Sequence, residues 1–106
     1  MPRHISNAEI TRILYETAML YDMEGVAFKP RAYERVARAI ETLEEPIAEI
    51  YEKSGTKGLE GIPGVGVSIA EKIEELLKTG HSAYYEELKK KMPVEVEKLF
   101  AIEGVG

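Results

Sequence analysis

An all-α domain is predicted by three features of the sequence. Apolar residues recur at spacings of three and four along most of the 106 residues, and no convincing strand alternation appears. Serine, proline and glycine residues that start and stop helices divide the chain into segments of helical length. The composition, with 44% hydrophobic and 31% charged residues, is typical of a globular domain. We therefore expect a small four-helix domain with extra helices at its C-terminal end.

The first two helices are predicted by their caps. Ser6 and Glu9 form a capping-box pattern, which indicates a helix over about residues 7–23, and Gly25 ends it. Pro30 suits the first position of the second helix, since its fixed backbone angle and missing N–H are tolerated there.

The later helices follow from similar signals. Pro46 opens a shorter third helix that Gly55 closes. A strongly amphipathic fourth helix spans residues 67–79. Ser82 then starts a further helix that ends at Pro93, and one more short helix is expected after it.

Composition excludes several classes of protein. The chain has no cysteine, which rules out disulfides, thiolate metal sites and cysteine nucleophiles. It has no apolar stretch of about 18 to 20 residues, and its first ten residues lack the apolar core of a signal peptide. We expect a soluble, monomeric protein without a membrane partner, cytoplasmic and nucleoid-associated if it is prokaryotic. With 14 basic residues against 19 acidic ones, any DNA binding must be local.

One basic stripe stands out against this acidic background. The second helix carries Lys29, Arg31, Arg35 and Arg38, and Glu34 is the acidic residue among them. Such a cluster favours contact with phosphates. The alternative is an ordinary solvent-exposed face.

A short motif occurs twice. The pattern LxxIxGVG covers residues 59–66 and returns at residues 99–106. We therefore expect a domain over residues 1–92 and, in residues 93–106, the start of a second copy that is cut short. On this interpretation the sequence is the N-terminal piece of a longer protein; the alternative is a tail that resembles the motif by chance.

The first copy of the motif predicts an anion site. Pro63 and the glycines Gly64 and Gly66 allow a very tight turn before the fourth helix, and Ile62 and Val65 should point inward. Free amides at a helix N-terminus attract an anion, and phosphate is the natural ligand. The amides expected to bind it belong to Gly64, Val65, Gly66, Val67 and Ser68.

These motifs together resemble a known family. The segments LEGIP, GVG and IAEKI, with FKPRAYERVARAI upstream, are similar to the N-terminal domain of family X DNA polymerases. The resemblance implies a helix-hairpin-helix motif over about residues 56–79 that binds the backbone of gapped or nicked DNA, including its 5′-phosphate, in base excision repair. The polymerase carboxylates of the family lie beyond this sequence. We therefore expect no nucleotidyl transfer, no required cofactor, and Mg²⁺ only in the missing polymerase domain.

The resemblance also implies a second chemistry. In some family members the lysine of the AEK tripeptide, here Lys72, attacks an abasic sugar as a 5′-deoxyribose phosphate lyase, and the acid before it, here Glu71, handles a proton. A neutral amine is needed for that attack. Acidic neighbours oppose the required lowering of the lysine pKa. The alternative is a solvated Lys72 that pairs with Glu71 or Glu75.

Further residues are assigned by position. Lys29 and Tyr33 match residues that contact the 5′-phosphate and line the lyase pocket, and Arg31 adds a basic group beside them. Phe28 and Ser68 stand where lyase-proficient members of the family carry basic groups.

The hairpin is also similar to turns that hold a monovalent cation. The resemblance assigns the carbonyls of Glu60, Ile62 and Val65 to K⁺ or Na⁺. Two other functions stay open, namely a helix-hairpin-helix module from another DNA-processing protein and a module for protein contacts.

Overall fold

The computed structural model describes residues 5–91, and its regular structure in that range is helical. The helices are α1 (Asn7–Met23), α2 (Lys29–Glu41), α3 (Ile47–Glu60), α4 (Val67–Thr79) and α5 (Ala83–Lys91). The prediction of an all-α domain is confirmed. Within the described range, none of these helices has the length and apolarity that a bilayer span requires. The second copy of the glycine motif and the helix expected after Pro93 lie outside the described residues.

The N-terminal helix pair follows the predicted signals. At the start of α1, Ser6 Oγ accepts the Glu9 amide at 3.1 Å, and the Ser6 amide donates to Glu9 Oε1 at 3.3 Å. This is the predicted capping box. Gly25 follows the helix with a φ of 77°, a left-handed angle that glycine adopts without strain. The second helix begins one residue before Pro30.

The third helix is broken in the middle and capped by a distant residue. Gly55 (φ 61°, ψ −153°) is not helical, so the predicted stop is correct, but the chain resumes helix and continues to Glu60. At the start of α3, Asn7 Oδ1 accepts the Ile47 amide at 2.8 Å, and Asn7 Nδ2 donates to the Glu45 carbonyl at 3.1 Å. The first helix therefore holds the start of the third.

The core lies between two helix pairs. α1 packs on α2, α3 packs on α4, and α5 docks on α1. The largest fully buried side chains are Ile10, Leu20, Val36, Ile40, Ile47, Leu59, Ile73 and Leu76. Since they come from all of α1 to α4, one continuous core fixes how the hairpin between α3 and α4 sits against α2.

Candidate nucleic-acid interface

The glycine hairpin, residues 61–66, joins α3 to α4 in a tight turn. Gly64 has a φ of 89°, in the left-handed region that other residues adopt only with strain. The Val65 amide donates to the Ile62 carbonyl at 3.0 Å and closes the turn. Ile62 and Val65 are buried as predicted, while Gly64 and Gly66 are exposed.

The first turn of α4 presents its amides to solution. Gly66 is the N-cap and has no side chain to bond them. Apart from Gly66 and its two chain neighbours, no heavy atom lies within 4 Å of the position that a Cβ on it would occupy. Val67 and Ser68 are exposed on the same turn. Because Gly66 carries no side chain and open space surrounds its Cβ position, a phosphate can approach this end of α4 closely. The structure places the predicted amides of Gly64, Gly66, Val67 and Ser68 together, and their binding to phosphate stays a prediction. The prediction of a free Val65 amide is wrong, because that amide donates to the Ile62 carbonyl within the turn.

The structure separates the basic residues of α2. Arg35 lies beside the hairpin, because a Cβ on Gly64 would be 3.5 Å from its Cδ. Arg38 lies one turn further along α2, and its positive charge acts on the pKa of Tyr15 on α1. Arg35 is therefore a basic group at the hairpin. The sequence predicted it only as a member of the basic stripe on α2. Its contact with Gly64 depends on tertiary packing, and no sequence spacing signals it.

Arg31 lies at the other end of the same helix. It lines a shallow cavity of about 390 Å³ together with Phe28 and Pro30. Phe28 is the N-cap of α2 and is 88% exposed, and its φ of 71° is strained for a bulky residue.

The Lys72 side chain does not pair with a neighbouring acid. Its Nζ donates to Ser68 Oγ at 3.0 Å and lies 4.8 Å from the centroid of the Tyr84 ring. Among the described residues no carboxylate comes within 4.0 Å of it. The alternative in which Lys72 pairs with Glu71 or Glu75 is therefore wrong in this structure.

Three tyrosines form a row under two lysines. The ring centroid of Tyr21 lies 5.4 Å from that of Tyr33 and 5.6 Å from that of Tyr84. Lys29 Nζ lies 5.1 Å from the Tyr21 centroid. Such contacts between ammonium groups and ring faces are attractive. We call these five residues the lysine pocket; Tyr21 and Tyr84 were not predicted as part of it.

The lysine pocket changes the acidity of its members. Burial, followed by the charge of Lys29, lowers the pKa of Lys72, although the carboxylates of Glu71 and Glu75 act in the opposite direction. The expectation that acids oppose the lowering is correct, but burial outweighs them. Burial also raises the pKa of Tyr33 to about 12, so its hydroxyl stays neutral.

The turn also carries the carbonyls assigned to a monovalent cation. The Ile62 carbonyl already accepts the Val65 amide, which leaves one lone pair for a further ligand. Glu60 ends α3 immediately before the turn. In the described part of the chain, no group of three or more acidic or histidine side chains forms a metal site.

The fold and the hairpin define a class of protein. The family model of the helix-hairpin-helix domain matches residues 5–82, so this chain belongs to the helix-hairpin-helix domain family. Within that family it is a DNA-binding module.

A particular relative is similar along nearly the whole chain. DNA polymerase lambda of Rattus norvegicus, a family X enzyme, is 29% identical over 100 residues. The match covers 94% of this chain and 16% of the relative, so the chain spans about one sixth of that protein's length. The similarity to a helix-hairpin-helix domain of family X, inferred from the motifs, is confirmed.

Proposed function

We propose that this domain binds the phosphate backbone of gapped or nicked DNA and recognises the 5′-phosphate at the gap without reading base sequence. The observation that carries the proposal is the uncovered first turn of α4, where Gly66 leaves the amides open to a close anion. Arg35 lies at the same turn and adds a positive charge. Contacts from amides and guanidinium groups to phosphate oxygens carry no base specificity.

The lysine pocket supplies a second group of positive charge for the 5′-phosphate. Lys29 and Lys72 converge on the tyrosine row, with Tyr33 behind them. The net charge of −5 limits the affinity of the whole domain. We also propose that residues 1–92 form the N-terminal domain of a DNA repair polymerase, with a second helix-hairpin-helix beginning in residues 93–106.

Titration of gapped DNA tests the binding proposal. DNA that carries a 5′-phosphate at the gap should bind about tenfold more tightly than the same DNA with a 5′-hydroxyl, since hydrogen bonds to a charged group contribute about 1.5–3 kcal/mol. The affinity should fall only gently with salt, because few phosphates are neutralised. Equal affinity for the two ends, or a preference for particular bases, would contradict recognition of the phosphate.

We propose a second function for the lysine pocket, the removal of a 5′-deoxyribose phosphate by Lys72. The supporting observation is that Lys72 is free of carboxylate partners among the described residues and has a lowered pKa. Both features increase the share of neutral amine, the form that attacks a carbonyl.

The chemistry needs no oxidant or cofactor. The neutral Nζ of Lys72 adds to C1′ of the open-chain sugar, and loss of water gives an imine. A base then takes a proton from C2′, and the exposed Glu71 is the side chain proposed for this step. The electron pair of the C2′–H bond forms a C2′–C3′ double bond and the C3′–O bond breaks. The phosphate that was attached at C3′ leaves with the electron pair of that bond. Water hydrolyses the remaining imine and restores the amine.

Borohydride trapping tests the lyase proposal. Reduction of the imine should give a permanent protein–DNA adduct, and Lys72→Ala should abolish it while binding to the same DNA is retained. Phe28 and Ser68 stand where lyase-proficient relatives are basic, so we expect slow trapping that increases with pH. An adduct that persists in Lys72→Ala would assign the chemistry to another amine. No adduct from a well-bound substrate would leave the domain as a binding module.

We further propose that K⁺ or Na⁺ binds the carbonyls of Glu60, Ile62 and Val65 at the hairpin. These neutral oxygen donors suit a monovalent cation, which would hold the turn in shape beside a phosphate. Replacing K⁺ by tetramethylammonium at constant ionic strength should weaken DNA binding. Unchanged affinity would contradict this site.

A further inference from the structure

The ring of Tyr84 lies against one side of the Lys72 amine. It lies 4.8 Å from Lys72 Nζ, while Ser68 Oγ occupies a second side at 3.0 Å. Tyr84 is half-buried and rests against Tyr21 at a centroid distance of 5.6 Å, so the tyrosine row supports its ring. Because Tyr84 belongs to α5, its ring lies beside the amine only while α5 packs against α1.

The fifth helix is too short to be stable alone, and a buried hydrogen bond holds it. It has 9 residues, fewer than the dozen or so that an isolated helix needs in water. The hydroxyl of Tyr85, a residue only 6% exposed, donates to the carboxylate of Glu16, which is 2% exposed on α1. Arg12 pairs with the other oxygen of that carboxylate at 2.6 Å. Burial and the Glu16 carboxylate raise the pKa of Tyr85, so it stays a donor.

A second hydrogen bond attaches α5 to α4, and its acceptor is an acidic residue near Lys72. Glu75 Oε2 accepts the amide of Ala83 at 3.2 Å, in the first turn of α5. Ser82 Oγ accepts the amide of Tyr85 in the same turn at 3.1 Å. The docking of α5 therefore brings Tyr84 to the amine and gives the Glu75 carboxylate a main-chain partner instead of Lys72.

We propose that Tyr84 is a positioning residue for Lys72, and that the bond between Tyr85 and Glu16 holds α5 so that the Tyr84 ring shields the amine from water. This inference rests on the proposed lyase function and identifies the residues that shield its nucleophile, the Lys72 amine.

Shielding and attraction by the ring have opposite effects on the amine. A ring face attracts an ammonium ion, which favours the charged form. Removal of water disfavours the charged form. Burial is the largest influence on the pKa of Lys72. The proposal assigns part of that burial to the Tyr84 ring and takes its effect to exceed the attraction of the ring for the ammonium ion. The other groups that act on the amine are Lys29, which adds to the lowering, and Glu71 and Glu75, which oppose it.

Labelling of amines with acetic anhydride over a range of pH, read by peptide mass spectrometry, tests the inference without DNA. In Tyr84→Ala the pH at which half of the maximal labelling rate of Lys72 is reached should move upward. Tyr84→Phe keeps the ring and should match the unaltered protein. Glu87→Ala, an exposed change on the same helix, is the control and should also match it. A midpoint in Tyr84→Ala that stays in place or moves downward would overturn the inference.

A further variant tests the role of the bond between Tyr85 and Glu16. Tyr85→Phe removes only the hydroxyl that donates to Glu16 and should shift the Lys72 midpoint upward, by less than Tyr84→Ala does. Circular dichroism of each variant must match the unaltered protein. An unshifted midpoint in a folded Tyr85→Phe would show that this hydrogen bond does not position Tyr84.

Borohydride trapping of the same variants separates this inference from the lyase proposal. Tyr84→Ala should trap severalfold more slowly near neutral pH and recover at high pH, where the amine is neutral without shielding. If the unaltered protein gives no adduct but the labelling midpoints shift, the lyase proposal fails and the positioning role stands. If it gives an adduct and the profiles of Tyr84→Ala and unaltered protein coincide, the positioning role fails and the lyase proposal stands.

Discussion

The glycine hairpin takes its donors from neighbouring residues of the chain, whereas the lysine pocket takes its side chains from α1, α2, α4 and α5. The hairpin is held by the left-handed φ of Gly64 and by one hydrogen bond across the turn. The pocket is held by helix packing and a buried bond between Tyr85 and Glu16. A phosphate site can therefore be built locally, but a shielded amine needs tertiary structure.

The largest expected effect comes from removing Glu16, because it should damage the pocket and spare the hairpin. Glu16→Ala leaves the buried Tyr85 hydroxyl without its acceptor and should lower the free energy of unfolding by about 2–3 kcal/mol. Glu16→Gln keeps an acceptor oxygen and should cost less. Thermal unfolding measures both variants. If DNA affinity falls as much as trapping in a folded Glu16→Ala, the two regions are not separate.

A smaller effect is expected at the hairpin itself. Gly64→Ala places a side chain on a residue with a φ of 89° and should destabilise the domain by about 1–2 kcal/mol. Gly66→Ala is the matched control, because its φ of −98° suits alanine and open space surrounds the new Cβ. It should affect stability less but weaken DNA binding by crowding the amides. If Gly66→Ala and the unaltered protein bind DNA with equal affinity, the phosphate does not bind at these amides.

A still smaller effect separates two arginines of α2. Arg35→Ala, beside Gly64, should reduce the affinity for gapped DNA about threefold. It should also make the plot of log affinity against log salt concentration less steep, by the equivalent of about one phosphate contact. Arg38→Ala removes a charge that acts on Tyr15 of α1, and it should leave both quantities nearly unchanged. Titrations at several salt concentrations measure the slopes. Equal losses in the two variants would mean that α2 binds as one basic stripe.

The smallest effect is a shift in pH dependence within the pocket. Lys29→Ala removes a positive charge that lowers the pKa of Lys72, so that pKa should rise and the trapping profile should move to higher pH. Lys57→Ala, an exposed lysine on α3 near the hairpin, should leave the profile in place. The pH dependence of the trapping rate, measured at saturating DNA, checks the shift. A profile that moves to lower pH would contradict the assigned influence of Lys29.

Local signals predicted the fold well. The capping box at Ser6, the stop at Gly55 and the hairpin at Gly64 each depend on residues that are adjacent or one turn apart. Among the site residues, the amides of residues 64–68 were predicted together for the same reason. Lys72 was assigned by resemblance, and the alternative was an ion pair with Glu71 or Glu75, of which Glu75 lies three residues along the same helix.

The sequence by itself determined the helices, their ends and the turn that exposes the α4 amides, because these depend on backbone angles and hydrogen bonds between near neighbours. Tertiary structure alone decided that Asn7 caps α3, that Arg35 lies beside Gly64, and that Lys72 faces Tyr84 rather than an acid. The physical reason is that burial and the meeting of side chains from different helices depend on how one core packs, which no local spacing specifies.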